Sequence, residues 1–474
     1  MKALQIGGKL RRLRQERRLS QAQMAAELQI SPSYLNLIES NRRPVTARVL
    51  LQLAEKFKVE IGSFASGDDD RLTADLMEVL SDPAFEEHDV KVTDVRDLVA
   101  SLPSVGRALL ALYRSHRAGP VSVASPGQEP VDSSFAVLPS EEVSEFIQQH
   151  SNYFPDLERA AEKLWRENEI ALHTLQHDLI KLLSQRFAVQ VEIVPATRMP
   201  GLLRNYNPLT RRLELSEMLP PPSRTFQLAH QIAFLANRPA LEHLSAGGKL
   251  TSTASDGLAR SALANYLAAA IMMPYGRFIE AARSTRYDIE VLQSRFGVSF
   301  EQACHRLATL RRPGDEGIPF HLIRVDIAGN ISKRFSASGI QMARFGAACP
   351  RWNVYDAFAT PGMVRVQLSR MPDGQAFFCV ARTISSIRHN AVRSGLPQRV
   401  EKLAIGLGCA IHHARDIVYS DGLHLDDPQI VTPIGVSCRI CPRTNCADRA
   451  SPSLSQKLEI DENSRGHSPY MASE

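Results

Sequence analysis

The sequence lacks any long hydrophobic run, and this absence limits where the protein can work. No stretch of the 474 residues approaches the roughly 20 consecutive apolar residues that a membrane-spanning helix needs. Residues 1–18 also lack the apolar core of a secretion signal. These absences predict a cytoplasmic protein with no membrane partner. Because 44% of the residues are hydrophobic, disorder of the whole chain is excluded, and the length allows two to four domains.

Cysteine is absent from the first 303 residues, and all seven cysteines lie at or beyond Cys304. Since disulfides are rare in the cytoplasm, such a clustered set favours a metal or redox site. Three of the seven form a C-x2-C-x4-C arrangement within VSCRICPRTNCADRA, a spacing that brings thiolates within reach of one iron–sulfur or zinc centre. The three candidate ligands are Cys438, Cys441 and Cys446.

Three thiolates require a fourth metal ligand. Cys409, in GLGCAIHHA, is the first candidate, with Cys379 and His413 as alternatives. The competing interpretation is three free thiols in a loop, but loops bury little and thiols are reactive there. The pattern therefore favours a metal site.

Acidic residues are scarce at the N-terminus. Residues 1–58 contain 12 Lys or Arg against four Glu, a net charge of +8, whereas the remaining residues sum to −3 within a total of +5. Localised positive charge favours a polyanion, because binding releases the counterions condensed on it. A solvated basic face is the alternative explanation of charge alone.

Two short helices joined by a tight turn are predicted within residues 20–43, SQAQMAAELQISPSYLNLIESNRR. Ser20 and Gln23 form a Ser-x-x-Gln capping box, so a helix is expected to begin at the residue after Ser20. Ser31 is a second cap, followed by Pro32 at a first helical position. Two capped helices beside concentrated positive charge favour DNA reading over a solvated face.

Residues 6–62 predict a compact five-helix pattern, with helices over 6–18, 21–28, 32–39 and 48–57 and a short closing turn near 61–64. The unit resembles the helix-turn-helix domain of the XRE or lambda-repressor-like family on LRQERRLSQAQMAAELQISPSYLNLIESNRRPVT. By that resemblance Gln21 anchors a phosphate of double-stranded DNA, and Glu39 is a structural partner. The side chains expected at the DNA are Gln21, Ser31, Ser33, Tyr34, Asn36, Asn41 and Arg43.

A helical spacer and a linker are predicted after this unit. Residues 72–117 favour helices with breaks at Pro83 and Pro103, serving as a spacer or a dimerisation surface. Residues 118–139 lose periodicity and gather Pro, Ser and Gly, which is typical of a linker. The predicted domains are therefore a DNA-binding domain over 1–67 and a spacer with linker over 68–139.

A second, mostly helical region begins at residue 140 and includes a long stretch over 157–185. Further elements are predicted in the order strand, hairpin, helix and helix, at 188–195, 202–215, 224–237 and 258–273. This order, with FQLAHQIAFLA and ANYLAAAIMMPY, resembles the IrrE/ImmA-type domain, whose functional members are zinc metallopeptidases with an HExxH helix. The domain is predicted over 140–315, and the helix-turn-helix-like pair near its end is expected to serve packing.

The residues that zinc peptidase chemistry needs are missing from this domain. In the segment that matches HExxH, Gln231 cannot act as a carboxylate base and Phe234 cannot bind a metal. Between residues 256 and 280 no acidic residue stands, and Leu263 occupies the place of the family's later ligand. His230 is then predicted to be a leftover polar core residue, and neither zinc nor peptidase activity is expected.

From residue 319 onward the pattern changes to strands. Hairpins are predicted around Ala328-Gly329-Asn330 and Pro372-Asp373-Gly374, and residues 401–423 favour a mixture of helix and strand. The predicted C-terminal unit is an α+β effector or cluster-binding domain over 316–450, followed by a disordered tail over 451–474. The whole chain is thus predicted to be multidomain α+β, mainly α.

The complete domain order resembles the short-chain acyl-CoA-responsive transcriptional regulators, which control propionate, acetate and methylcitrate or glyoxylate metabolism in bacteria. The most specific matches are the N-terminal motif, ANYLAAAIMMPY, GLGCAIHHARDIVYSDGL and GVSCRICPRTNC. The resemblance implies that a short acyl-CoA binds the C-terminal region and alters DNA affinity. It also implies an iron–sulfur cluster, of the 4Fe–4S type, on the cysteine loop of some members.

A coenzyme A site needs cations for its phosphates and an apolar slot for the acyl group. RFGAACPRWNVYDAF offers both, although a strand edge with core aromatics explains it equally well; the candidates are Arg344, Arg351, Trp352 and Tyr355. We expect a homodimeric or homotetrameric regulator without enzymatic activity. The alternatives are a metallopeptidase that cleaves a repressor, and a purely redox-sensing regulator.

Overall fold

The computed structural model describes residues 10–11, 13–14, 17, 19–39, 43, 45–46, 49, 52–53, 56–57, 68–82, 85, 88, 90, 92–118, 138–248, 250–344, 348–387, 400–453, 468 and 470. The chain divides into two compact units. The first comprises Met1–Ala136, Ala343–Gly346 and Ser437–Glu474, and the second comprises Val137–Met342 and Ala347–Val436.

Helices dominate the described part of the first unit. Those with defined bounds are α1 (Gln21–Glu27), α2 (Pro32–Glu39), α3 (Asp68–Val79), α4 (Val92–Ser101) and α5 (Pro103–Ala118). The flanking helix predicted over 48–57 is helical at its described positions, which are 49, 52–53 and 56–57. The one predicted over 6–18 is helical at 10–11 and 13–14, whereas Arg17 lies in a turn. The predicted closing turn at 61–64 lies outside the described residues.

Helices α1 and α2 close over a small apolar core. Met24 of α1 and Leu28, the residue that caps its end, meet Leu35 and Ile38 of α2, and none of these side chains is more than 1% exposed. Ala25 fills the gap between the larger side chains. The spacing of apolar residues, which predicted two amphipathic helices, therefore matches the face that each helix buries.

Helices α3, α4 and α5 form a second, separate core in this unit. Gly106 lets α5 approach α3, since a Cβ atom at this position would lie 2.9 Å from the Leu76 side chain. The helix break predicted at Pro103 is confirmed, because α5 begins there. Pro83 and the predicted linker over 119–137 lie outside the described residues.

In the second unit, helices surround a small three-stranded sheet. Its strand order is β1-β3-β2, with β1 parallel and β2 antiparallel to β3. The elements are α6 (Pro139–Gln149), α7 (Pro155–Glu167), α8 (Leu175–Phe187), β1 (Gln190–Val194), β2 (Arg204–Asn207), β3 (Arg212–Ser216), α9 (Pro221–Ala246), α10 (Thr253–Met272), α11 (Tyr275–Ser284), α12 (Ile289–Phe296) and α13 (Phe300–Leu307).

Two predicted helices have different bounds in the structure. The stretch over 157–185 is divided between α7 and α8, because Asn168 is extended (φ −129°, ψ 141°) and its side chain bonds the Leu164 carbonyl instead. Helix α9 continues past its predicted end at 237, with a kink there: Asn237 has φ −131°. Pro239, two residues later, cannot donate a helical hydrogen bond, which accounts for the kink.

A buried ion pair ties the helices of this unit together. Arg306 of α13 donates to both carboxylate oxygens of Glu158 on α7, at 2.6 and 2.9 Å, and both side chains are at most 1% exposed. Tyr266 of α10 adds a bond of 2.6 Å to the same carboxylate. Cys304 and Leu307 of α13 are also buried, so the appended helix pair serves packing, as predicted.

A six-stranded sheet forms the C-terminal part of the second unit, in the order β11-β8-β9-β10-β6-β7. Both predicted hairpins are present, as β6 with β7 and β8 with β9. The bounds are β6 (His321–Asp326), β7 (Ile331–Ser336), α14 (Asn353–Asp356), β8 (Arg365–Arg370), β9 (Ala376–Ile387), β10 (Val400–Ala410) and β11 (Val431–Pro433), with β4 (Arg311–Arg312) and β5 (Asp315–Glu316) pairing beforehand.

Glycines in β10 allow the sheet to pack. A Cβ at Gly406 would lie 2.8 Å from Ile323, and one at Gly408 would lie 2.5 Å from the ring of His321. The glycine pattern of GLGCAIHHA is therefore required by close packing across the β6–β10 pair.

Candidate DNA interface and sensor residues

The two predicted helix caps are present at the N-terminus. The Gln23 backbone N–H donates to Ser20 Oγ at 3.2 Å, and the Ser20 backbone N–H donates to Gln23 Oε1 at 2.8 Å. Ser31 Oγ accepts from the Tyr34 backbone N–H at 3.1 Å. These bonds fix where α1 and α2 begin, and thus the angle of the turn between them.

Glu39 connects two other residues of this module through its carboxylate. Arg14 donates to its two carboxylate oxygens at 2.7 and 3.1 Å, and the Glu39 side chain is only 2% exposed. The bond to Glu39 raises the pKa of Arg14. Gln21 donates to the same carboxylate at 2.8 Å, so one of its two amide hydrogens is committed inside the protein. Glu39 is therefore a structural partner, as predicted.

Most of the polar residues expected at the DNA lie on the open side of α2. Ser31, Ser33, Asn36 and Arg43 are exposed, while the ring of Tyr34 is half-buried against the core. Asn41 lies outside the described residues. The exposed side chains alternate with the buried Leu35 and Ile38, so α2 is amphipathic with a polar outer face.

His230 occupies the first position of the degenerate HExxH motif, and both of its ring nitrogens are engaged. Nδ1 accepts from Arg204 Nη1 at 2.5 Å, and the ring also bonds the Ser261 backbone. Burial, reinforced by the Arg204 charge, lowers the pKa of His230 to about 3, so the ring is neutral. A guanidinium at this distance also opposes a metal cation electrostatically.

The remaining places of the motif are filled by packing. The Phe234 ring contacts the His230 ring edge-on, with centroids 5.1 Å apart. Leu263 is 1% exposed within the core. Gln231, which stands where the peptidases have their glutamate base, is 4% exposed. The geometry around His230 is thus that of a packed helix contact.

The cysteine loop is organised by Arg449, a residue that the sequence analysis did not single out. Its guanidinium donates to the carbonyl oxygens of Cys438 at 2.8 Å and Cys441 at 3.2 Å, and also to that of Arg443. The Arg449 Nε atom is buried with no partner in the described structure. Arg449 thereby holds the backbone carbonyls of the loop together.

The three loop thiols are free, with Cys441 buried and the other two partly exposed. The Ala450 backbone N–H donates to Cys438 Sγ at 3.4 Å. Among the described residues, no three His, Cys, Asp or Glu side chains converge closely enough to hold a metal ion.

The candidates for a fourth ligand have different environments. Cys379 and Cys409 are buried between strands of the sheet, and burial raises the pKa of both thiols, that of Cys379 to about 12. His413 is partly exposed. Cys349 was not considered from the sequence. Its backbone N–H donates at 3.0 Å to the carbonyl of Val436, two residues before Cys438 along the chain.

The residues proposed for an effector site are divided between the two units. Arg344 belongs to the first unit, where its Nε atom lies 2.8 Å from an Asp75 carboxylate oxygen and only 7% of its side chain is exposed. In the second unit, Trp352 is buried and donates from Nε1 to the Gly435 carbonyl at 3.0 Å. Arg351 and Tyr355 are partly exposed.

A polar cavity of about 390 Å³ lies in the second unit, lined mostly by residues that follow β10 in the sequence. Arg286 and Arg415 line it, and residues 420–426 complete the wall. Arg286 pairs with both oxygens of Asp421 at 2.8 and 2.9 Å, while Arg415 pairs with Asp426 at 3.0 Å. Both pairs are solvent-exposed, so each contributes only about 0–1 kcal/mol of stability.

Known proteins match the whole chain. Three family models match consecutive parts: "Helix-turn-helix" over residues 10–64, "IrrE N-terminal-like domain" over 184–308, and "Short-chain fatty acyl coenzyme A regulator, C-terminal" over 309–470. The HTH-type transcriptional regulator PrpR of Mycobacterium tuberculosis is 41% identical over 99% of this chain and 96% of its own length. The chain belongs to the short-chain fatty acyl coenzyme A regulator family.

Other members of this regulator family are equally similar. The HTH-type transcriptional regulator RamB of Mycobacterium tuberculosis is 40% identical, and the propionyl-CoA carboxylase regulator of Cereibacter sphaeroides is 38% identical, each over 98% of both chains. A solved structure of a Mycobacterium tuberculosis transcriptional regulator is 42% identical with a TM-score of 0.66, covering 71% of this chain and all of its own.

Family membership confirms the predicted order of helix-turn-helix, IrrE-like and C-terminal regulator domains. It also confirms a multidomain α+β architecture that is mainly α, with the DNA-binding module at the N-terminus. Within the described part of the chain, no helix combines the length and apolar character needed to cross a bilayer.

Proposed function

We propose that this chain is a DNA-binding transcriptional regulator of short-chain fatty acid metabolism, whose DNA affinity changes when a short acyl-CoA binds. The observation that carries the proposal is the capped α1–α2 pair, locked by Glu39, with its polar side chains exposed on α2. The match of residues 309–470 to an acyl coenzyme A regulator domain supports the choice of effector. We further propose that two copies occupy half-sites about one helical turn apart.

A direct test measures binding of the full-length protein to a candidate promoter of propionate metabolism by fluorescence anisotropy. The measurement is made without effector and with acetyl-, propionyl- or butyryl-CoA. We expect specific binding whose affinity shifts with at least one acyl-CoA. Specific binding that no acyl-CoA changes would overturn the effector part alone, since the DNA-binding part has its own readout.

We predict different effects for two exposed residues of the DNA-binding module. Asn36→Ala removes a base contact, so binding to the operator should weaken by about 1–3 kcal/mol and discrimination against mutated operators should relax. Arg43→Ala removes a phosphate contact, so binding should weaken equally for all sequences, with a salt slope smaller by about one. Anisotropy titrations at several salt concentrations measure both.

The two variants control for each other, because both residues are exposed, and the melting temperature of each variant shows whether the module is still folded. Unchanged sequence preference for Asn36→Ala in a folded protein would refute the base contact. A larger change in preference for Arg43→Ala than for Asn36→Ala would reverse the assignment.

We also propose that Cys438, Cys441 and Cys446 hold a 4Fe–4S cluster. The support is the spacing of the three cysteines along the chain, which iron–sulfur proteins use, and the Cys438 sulfur accepts a backbone N–H. The buried, unpartnered Nε–H of Arg449 supplies a further donor of the kind that stabilises cluster thiolates. When bound, such a cluster supplies an electron-transfer or iron-sensing centre. Cys409, Cys349, Cys379 and His413 are the candidates for the fourth ligand.

Cluster binding is tested by iron content and visible absorbance of the anaerobically purified protein. Cys441→Ser should remove most of the iron and the absorbance near 400 nm, on the order of a tenfold loss. Cys304→Ser is the control, since Cys304 is buried in the helical core. Serine variants of Cys349, Cys379 and Cys409 then identify the fourth ligand. Colourless, iron-free wild-type protein would refute the cluster and the redox-sensing alternative.

We propose that the IrrE-like domain of this protein does not cleave peptides. The engaged nitrogens of His230 and the nearby guanidinium of Arg204 support this. Zinc analysis together with a repressor-cleavage assay tests it. Two results together would contradict it: cleavage of the repressor, and stoichiometric zinc that stays bound in the Phe234→Ala variant.

A further inference from the structure

Arg204 carries a positive charge that no described carboxylate neutralises. It stands on β2, and its Nη1 atom donates to His230 Nδ1 at 2.5 Å and to the Gln227 carbonyl at 3.4 Å. Its Nε and Nη2 atoms bond no described residue, and they are not sealed from solvent. Burial lowers the pKa of Arg204 to about 10, so the side chain is still a cation at neutral pH.

The Gln231 side-chain amide is a second polar group, besides the Arg204 guanidinium, that is not fully hydrogen-bonded within the described structure. The residue is 4% exposed, and its amide has no hydrogen-bond partner among the described residues. The amide atoms keep a small solvent-exposed area. Gln231 follows His230 on α9 and occupies the place of the HExxH glutamate base, which in the working peptidases faces the metal that the first histidine binds. Arg204 touches His230, so the motif places both residues at the remnant of that site.

The chemistry of these donors selects the ligand. Arg204 offers three remaining N–H groups in a planar fork, and Gln231 offers two more. A planar guanidinium fork matches the oxygens of a carboxylate or phosphate group, and a partly buried cation gains most from an anionic partner. His230 cannot contribute charge, since its Nδ1 lone pair is used by Arg204. The region therefore suits an oxyanion.

We propose that the degenerate peptidase site of this regulator is a binding site for a small oxyanion, a carboxylate or a phosphate, held by Arg204 and Gln231. The guanidinium supplies the positive charge that zinc supplies in the working peptidases. No bond is made or broken, so the site is one of recognition. This goes beyond the proposed function, which places the effector on the C-terminal domain.

The test uses the full chain and two defined probes, sodium phosphate and sodium propionate, against sodium chloride at equal ionic strength. Thermal unfolding and isothermal titration calorimetry give the stabilisation and the affinity. We expect at least one probe to bind the wild type, and Arg204→Gln to weaken that binding roughly tenfold or more. Arg212→Gln, an exposed arginine on the neighbouring strand β3, is the matched control and should bind like the wild type.

A second variant keeps the proposal testable if Arg204→Gln fails to fold. Gln231→Glu places a carboxylate beside the guanidinium and so mimics the ligand. We expect this variant to melt at a higher temperature than the wild type without added anion and to lose the response to phosphate and propionate. Wild-type anion binding in Gln231→Glu, or equal loss in Arg212→Gln and Arg204→Gln, would overturn the proposal. Failure of both probes to bind the wild type would overturn it as well.

Discussion

Replacing Glu39 with alanine should unfold the helix-turn-helix module and abolish DNA binding. The change removes the acceptor of three hydrogen bonds and leaves the Arg14 cation unpaired at the base of α2. Removing one member of a buried pair typically costs about 3–5 kcal/mol. A core of this size rarely supplies more than about 3–5 kcal/mol, so the expected loss consumes the stability of the module.

Anisotropy titrations with operator DNA and limited proteolysis of the N-terminal module measure the two parts of this expectation. Glu27→Ala is the matched control, because Glu27 lies exposed at the end of α1 and should leave folding unchanged. Specific, wild-type DNA affinity in Glu39→Ala would show that the apolar core alone sets the angle between α1 and α2.

Glu158→Ala should cause a comparable loss of stability in the second unit. Arg306 is fully buried, and without Glu158 its charge keeps only the Met273 carbonyl and the Thr309 hydroxyl as partners. We expect the free energy of unfolding to fall by about 3–5 kcal/mol, lowering the midpoint of urea denaturation. Tyr266 loses its acceptor at the same time, which adds to the cost.

The control for this prediction is Arg159→Ala, which removes the neighbouring but exposed pair with Asp156. Surface pairs contribute about 0–1 kcal/mol, so its midpoint should barely move. The double variant Glu158→Met with Arg306→Met removes both charges, and it should recover part of the loss. A single variant as stable as the wild type would mean that Arg306 reaches solvent by rearrangement.

The parts of the molecule that the sequence predicts well are those decided by local interactions. The cap at Ser20 depends on a residue three positions away, so the pattern contains all its participants. The hairpins β6–β7 and β8–β9 are likewise set by turns whose residues are adjacent in the chain. Helix breaks at Asn168 and Asn237 are harder to predict, since packing decides whether an interrupted pattern continues.

The candidate sites were predicted less completely, because their decisive partners are remote or lack a motif. His230 was recognised as a packed remnant, but Arg204 stands on a strand 26 residues earlier, where nothing in the spacing marks it. Arg449 lies after the last loop cysteine, and nothing in the sequence distinguishes it from an ordinary surface arginine. Only the fold of the loop brings the backbone carbonyls to its guanidinium. The assignment of Arg344 to an effector could not foresee its ion pair with Asp75, 269 positions away.

Ile440 of the cysteine loop packs against the apolar core that α3, α4 and α5 form. A loop that is ordered on this core cannot rearrange without cost to the helices it covers. Thermodynamic linkage then requires that any ligand of the ordered loop stabilise the helical core by RT ln(1 + [L]/Kd), about 4 kcal/mol at a thousandfold excess over Kd. A ligand that binds the cysteine loop therefore raises the free energy of unfolding of the α3, α4 and α5 core.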